Sequence, residues 1–389
     1  MLKLTPPRYG RADRSNMARW FWEIDRALLL LLAILILVGL IAVAAASPAG
    51  AARYSSATEK LPGLYFFWRQ VMWILVSLPV MILVSMLPRP MLTRLCLLAT
   101  AGGMVALALV PFVGSEINGA KRWLDLGISR FQPSEFLKPA FVVTLAWIFT
   151  RKASFAVRAG ASGALTGLVA VLLMRQPDFG STVIFVAVWG ALFALAGARM
   201  KLLVGLGVAG LVGLVAAYFF YDVATTRIDA FLFGEGDNFQ TERAMATLTA
   251  GGIFGKGSGA GSMKFNLPEP HTDYIYSVIG EEFGLIACLG IALLYLAIVG
   301  RVLIKLLDEE SPLAILAASG LVLQFGLQAF INMAVNVQIA PSKGMTLPFI
   351  SYGGSSMLAL SLQMGLLLAF SRRNPYLNRS PYVVRWSGA

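Results

Sequence analysis

Asp273 stands in the tripeptide His271-Thr272-Asp273, where a long polar segment runs into an apolar one. A carboxylate at such a boundary is partly desolvated, which lifts its pKa toward the range a general base needs near neutrality. An aspartate or threonine there serves equally as an N-terminal helix cap, and spacing alone leaves both readings open. Lys264 precedes Asp273 by nine residues, after glycines at 255, 257, 259 and 261 that would let a backbone approach phosphate oxygens. With Arg227, Lys121, Arg122 and Lys343 it makes a set of cations able to neutralise an anionic leaving group. For a loop lysine the alternative is simple solvation, and for Asp178 in MRQPDFGS a salt bridge with Arg175 is as good a reading as contact with a substrate. Trp123, beside Arg122, would stack on a sugar face or anchor at a membrane interface. Ser277 and Glu281 follow Asp273 at intervals of four, so a helix would place the three on one broad face, with His271 in support and Glu282 turned away. About 12 Å of helix would part Asp273 from Glu281, too far for a paired-carboxylate mechanism, so Glu281 reads as structural or as part of a polar path, and both Glu281 and Glu282 are expected to have partners such as Lys138 or Lys343.

The elements that position these residues are membrane helices. The chain is 58% hydrophobic and 13% charged, with a mean hydropathy of +0.74, a composition that excludes an ordinary water-soluble domain. Ten apolar runs can be placed, at about 27–47, 64–87, 91–113, 134–150, 158–174, 181–198, 201–221, 273–300, 312–336 and 345–371. They are apolar all round, which excludes a transmembrane barrel with its alternating strands. The expected fold is therefore an all-α integral membrane protein of about ten transmembrane helices. A basic tail (1–26) and a second basic tail (372–389) flank the membrane domain (27–371), and a large extracytoplasmic loop (222–272) joins helices 7 and 8.

Orientation follows from the basic residues. More than half of the 32 Lys and Arg fall in the two tails and the short loops on their side, while most of the 20 carboxylates fall on the other. Both termini are thereby expected in the cytoplasm. The net charge of +12 reflects this topology, and no nucleic-acid partner is expected. No cleavable signal peptide is evident, because about 26 polar and charged residues precede the first apolar run. Cys96 and Cys288 lie within apolar runs and read as small buried hydrophobes. A single histidine excludes a multi-histidine zinc site.

Five blocks carry a resemblance: INGAKRW (117–123), FQPSEFLK (131–138), QPDFGS (176–181), PEPHTDYIYSVIGEEFG (268–284) and PSKGMTLPFISYGGSS (341–356). In order and spacing they resemble the signature blocks of the SEDS family, membrane glycosyltransferases that polymerise lipid-linked peptidoglycan precursor. The last block and the lead-in ARWFWEIDR resemble the cell-division branch more than the elongation branch. The resemblance implies a peptidoglycan glycosyltransferase of the bacterial inner membrane at the division septum, acting on lipid II. It implies Asp273 as catalytic base and Lys264 as a functional position in the loop. It also implies a class B penicillin-binding protein transpeptidase as partner, alongside other septal division proteins. A divalent cation, Mg2+ or Mn2+, bridging the pyrophosphate is a further expectation, although no carboxylate cluster has metal-ligand spacing. One departure stands out: NFQTERAMATLTAGG (238–252) blurs a family motif, and no catalytic role is carried over to it. A transporter that flips lipid II, and a non-catalytic division scaffold, are the competing classes; a transporter calls for a polar path through the midplane, whereas the polar residues here concentrate at one surface.

Overall fold

The computed structural model describes residues 16–56, 60–117, 120–125, 130–233, 239–342 and 344–372. Each of the ten apolar runs contains a helix: α2 (Arg26–Tyr54), α3 (Tyr65–Met86), α4 (Arg89–Val113), α5 (Pro133–Phe149), α6 (Phe155–Met174), α7 (Phe179–Leu195), α8 (Met200–Phe220), α11 (Ile275–Leu306), α12 (Pro312–Asn336) and α13 (Gly354–Ser371). Eight are long and apolar enough to cross a membrane, while α5 and α7 have 17 residues each. The chain is an all-α integral membrane protein, with α5, α12 and α13 as the most buried helices. α8 stands apart, without one buried residue along its length.

Local chemistry sets several boundaries. Asp25 caps α2 by accepting from Leu28 N at 3.1 Å, and Ser311 caps α12, where Pro312 occupies the first turn. Asp25 also accepts from Arg301 (3.1 Å) and pairs with Lys305 (3.4 Å), tying the start of α2 to the end of α11. Part of the segment expected as a basic tail folds as a short helix, α1 (Asn16–Glu23), whose Trp20 indole donates to Ser85 Oγ at 2.8 Å.

At the opposite end of the bundle the structure adds elements that hydropathy did not disclose. The 114–133 segment forms a small antiparallel sheet, β1 (Ser115–Ile117), β2 (Ala120–Asp125) and β3 (Arg130–Phe131), in the order β1-β2-β3. The 222–272 loop holds α9 (Asp222–Phe233), α10 (Phe239–Ala250) and a 3-10 turn at Met263–Asn266. Their polar faces hid them from a search for apolar length.

Two expected helix limits are corrected. The run at 345–371 becomes helical only at Gly354; residues 345–353 form a non-helical segment held by side chains of neighbouring helices. Met345 O accepts from Asn332 (2.5 Å), Thr346 O from Gln328 (3.2 Å), Pro348 O from Tyr295 (2.5 Å) and Ser351 O from Gln70 (3.3 Å). Irregular backbone within a membrane bundle persists only when its polar groups are met in this way.

The second correction concerns α11, which breaks at Gly284 (φ 81°, ψ 178°). The segment 252–257 threads into the break. Lys256 N and Gly257 N donate to the carbonyls of Glu281 (2.9 Å) and Glu282 (3.0 Å), while Leu285 N donates to Gly252 O (3.0 Å). Glycine is required at the crossing, because a Cβ at 284 would overlap Ile253 O and Gly255 N.

Candidate active site: the 269–274 turn

Asp273 lies in a tight turn just before α11, and its backbone is held from three directions. Tyr352 N donates to His271 O (2.9 Å), Ser351 Oγ to Thr272 O (2.6 Å), and the amides of Asn332 and Asn336 to Asp273 O (2.9 and 3.1 Å). Three consecutive carbonyls are thus fixed by the 345–353 segment and by α12, so the Asp273 side chain projects from a rigid base. Gly344 lies beside the carboxylate; a Cβ there would come within 3.0 Å of Oδ2.

The turn begins at Glu269, a non-glycine residue with φ +50° between two prolines. Its carbonyl accepts from Thr272 N (3.2 Å), and its carboxylate accepts from Thr272 Oγ1 (3.0 Å) and from the Tyr54 hydroxyl at the end of α2. Burial, and secondly the negative charge of Glu269, lift the Asp273 pKa to about 7. The side chain retains part of its solvent access, while protein atoms crowd around the carboxyl group. His271 is buried against Phe66, ring centroids 3.8 Å apart, and burial pushes its pKa down to about 4, so the imidazole is neutral. It packs the turn against α2 and α3.

Lys264 and the two glutamates form a second cluster. Glu281 accepts from the backbone amides of Ser262 (2.9 Å), Met263 (2.8 Å) and Lys264 (2.9 Å) and pairs with Lys256 at 3.2 Å. Glu282 accepts from Gly259 N (2.5 Å) and pairs with Lys264, whose ammonium also donates to Ala45 O at 2.9 Å. Lys264 is 1% exposed, so its ammonium is committed to this network and does not face open solvent. Here the sequence expectations need correction. The partners of Glu281 and Glu282 are Lys256 and Lys264, because the loop folds back over the helix. Lys138 instead pairs with Glu135 (2.6 Å) and donates to Gln328 (3.1 Å). The Asp273, Ser277, Glu281 ladder is likewise broken: Asp273 precedes the helix, Ser277 donates to Asn336 Oδ1 (2.7 Å), and Glu281 turns to the glycine loop.

Lys121, Arg122 and Trp123 lie on β2, and Arg122 reaches the turn that holds Asp178. Arg122 Nε donates to Gln176 O at 3.0 Å and its guanidinium also reaches Pro177 O, which joins the sheet to the start of α7. Asp178 is buried and caps α7 by accepting from Ser181 N at 3.1 Å. Lys121 is exposed and Trp123 half-buried on β2. Arg227 lies on α9, its side chain outside the described part of the structure, and Lys343 lies outside the described residues. A row of contacts runs from this region toward Asp273. Glu135, Lys138 and Gln328 lead to Thr346 O, and one helical turn beyond Gln328, Asn332 bridges Met345 O and Asp273 O.

Sequence reasoning missed Glu269, Tyr54, Asn332, Asn336 and Ser351. The pair Asn332 and Asn336, four apart in an apolar run, carried a legible signal, since buried amides seek partners on one helix face. Gln240, in the stretch where the family motif blurs, accepts from the Tyr274 hydroxyl at 3.2 Å, joining α10 to the turn. Among the described residues no three His, Cys, Asp or Glu side chains converge as a metal site requires. Asp273 and Glu269 supply two carboxylates there, with Glu269 already engaged, so no catalytic step is assigned to a protein-held metal.

A ten-run helical bundle carrying a polar, carboxylate-bearing turn at one end is the architecture of a multi-pass membrane enzyme. The family model described as "Cell cycle protein", for FtsW, RodA and SpoVE, matches residues 25–376. The chain belongs to this family, the SEDS proteins. It is 39% identical to a probable peptidoglycan glycosyltransferase FtsW of Caulobacter vibrioides, over 94% of each chain. To the protein of the same name from Pasteurella multocida it is 35% identical, over 90% of this chain and 91% of that one. Among solved structures it is similar to the rod shape determining protein RodA of Thermus thermophilus (TM-score 0.67, 28% identity, 90% and 96% of the two chains). It is also similar to a chain of a peptidoglycan synthase complex described as coordinating polymerization and crosslinking (TM-score 0.74, 26% identity, 90% and 97%).

Proposed function

We propose that this chain is a peptidoglycan glycosyltransferase of the bacterial inner membrane that polymerises lipid II into glycan strands for the division septum, with Asp273 as general base. The bundle end bearing the Asp273 turn and the 222–272 segment faces away from the cytoplasm, and both termini lie inside, as the distribution of basic residues supports. The sugar hydroxyl of the acceptor lipid II attacks the anomeric carbon of the lipid-linked glycan donor. The new glycosidic bond forms as the bond to the pyrophosphate breaks, the electron pair departs with the lipid pyrophosphate, and the hydroxyl proton passes to Asp273. Exposed cations at that end, with Lys121 as the described example, would meet the departing charge. A divalent cation taking part would be carried by the pyrophosphate itself.

One observation carries this reading: a carboxyl lifted to about 7, in a turn fixed through its own backbone. A class B penicillin-binding protein is the proposed partner, supported by the likeness to the synthase-complex chain. The test is polymerisation of lipid II by the purified protein with its cognate transpeptidase, products separated by size. Native protein yields glycan chains; Asp273→Asn, equally folded, yields none, and normal polymerisation by that variant would remove Asp273 as the base.

A second reading, transport of the same lipid, is favoured by the buried row of Lys138, Gln324 and Gln328 inside the bundle. Phe141, Ile184, Phe185 and Val188 enclose Lys138 and Gln324 with apolar side chains. Translocation in vesicles without polymerisation in any preparation would decide for transport.

A further inference from the structure

Glu269 adopts a left-handed backbone conformation, φ +50°, that side chains other than glycine seldom hold. Such strain persists where the surroundings impose it, and it gathers at functional sites. Here the surroundings are explicit. Thr272 bonds both the carbonyl and the carboxylate of Glu269, and Tyr54 reaches the same carboxylate from a different helix. The result is a fixed negative charge in the same turn as Asp273. Among the described residues, neither of the side chains that bond this carboxylate is a cation.

We propose that Glu269 acts through Asp273 as an electrostatic positioning residue, a fixed negative charge that makes the neighbouring carboxylate a stronger proton acceptor. The inference rests on Asp273 being the base, as argued above. Like charges at close range resist joint ionisation, so a proton on Asp273 is favoured while Glu269 stays charged. The upward displacement of Asp273, with burial first and Glu269 second among its causes, agrees in sign.

Other ionisable groups surround the turn. His271 is neutral and buried. On α2, Arg53 lies 3.5 Å from Leu267 O and Tyr54 is committed to Glu269. On the remaining side, Arg69 of α3 donates to the Tyr65 hydroxyl at 2.9 Å, and Tyr352 packs edge-on against Phe66. Among the described residues, Glu269 is the group whose charge acts on Asp273 directly.

The experiment is the pH dependence of lipid II polymerisation by the purified protein with its transpeptidase, comparing native chain, Glu269→Gln, Glu269→Asp and Asp273→Asn. In Glu269→Gln the acid limb of kcat/KM moves to lower pH by roughly half a unit to one unit, because a negative neighbour is gone. Its plateau falls roughly two- to threefold, as a weaker base demands. Glu269→Asp keeps the charge and returns the native midpoint. Should Glu269→Gln fold poorly, Glu269→Gly, which suits the backbone at φ +50° and removes the same charge, moves the midpoint the same way. An unchanged midpoint in Glu269→Gln, or in Glu269→Gly, with Asp273→Asn inactive, overturns the role of Glu269 and leaves the base standing. Activity in Asp273→Asn overturns the base assignment itself, and with it this inference.

Discussion

The side-chain amide of Asn332 meets the main-chain carbonyl of Asp273 at 2.9 Å, and the same nitrogen lies 2.5 Å from Met345 O. One amide therefore clamps the candidate catalytic turn to the non-helical segment before α13. Replacing Asn332 by Leu takes the side-chain donor from Met345 O and leaves Asp273 O with Asn336 alone, at a cost of about 1–3 kcal/mol. Polymerisation should fall by roughly tenfold or more through loss of alignment, chiefly in kcat, and Asn336→Leu, which leaves the Asn332 bond in place, should do less. Steady-state kinetics of the two folded variants make the comparison.

A strained base should cost stability. The Asp273 carboxyl titrates near 7 in the folded protein against an ordinary 3.8. Its folded pKa is raised, so the unfolded state releases the proton first, and native stability declines as pH rises from about 4 through about 7. Asp273→Asn, which never ionises, should be more heat-stable than the native chain at pH 8 by about 1–2 kcal/mol after allowance for partial solvent screening. The gain should vanish near pH 4, and thermal unfolding in detergent at the two pH values reads it.

The Lys264–Glu282 pair is almost wholly enclosed, with side-chain exposures of 1% and 0%. Lys264→Met strands a buried carboxylate, and the expected loss is about 3–5 kcal/mol. The double variant Lys264→Met with Glu282→Leu should recover much of it, since an apolar pair of similar volume removes the orphaned charge. A double-mutant cycle on melting temperature separates this from generic core damage.

At Gly284 a methyl group would meet Ile253 O and Gly255 N, and φ there is +81°. Gly284→Ala should destabilise by about 1–3 kcal/mol and loosen the 252–257 segment. Gly290, six residues along the same helix, has open space around it. Gly290→Ala should be neutral or mildly stabilising, and the contrast between the two, followed by thermal unfolding and protease sensitivity of the loop, isolates the break as the cause.

How much of this was legible in the sequence depends on the range of the signal. The ten apolar runs and their helices were readable because length and apolarity are local properties. Asp273 was readable because the polar-to-apolar boundary and the HTD motif are local too. Its anchors were not: Asn332, Asn336 and Ser351 stand 59, 63 and 79 residues away from the carbonyls they hold. The ion pairs of Glu281 and Glu282 were misassigned for the same reason, since the glycine-rich segment doubles back in a way no periodicity reveals. α9, α10 and the small sheet went unread because their polar residues resemble loop. Glu269 lay inside a quoted motif, yet its significance comes from a backbone angle and a tyrosine on α2, neither visible in the string of letters.

The carbonyls of residues 271–273 take their donors from α12 and from residues 351 and 352, close to the end of the described chain. Synthesis and membrane insertion proceed from the N-terminus. A chain truncated before residue 351 would possess Asp273 and keep the Asn332 and Asn336 bonds, yet lack the donors to the carbonyls of residues 271 and 272. The turn is therefore fully pinned only once the segment that leads into α13 has been made.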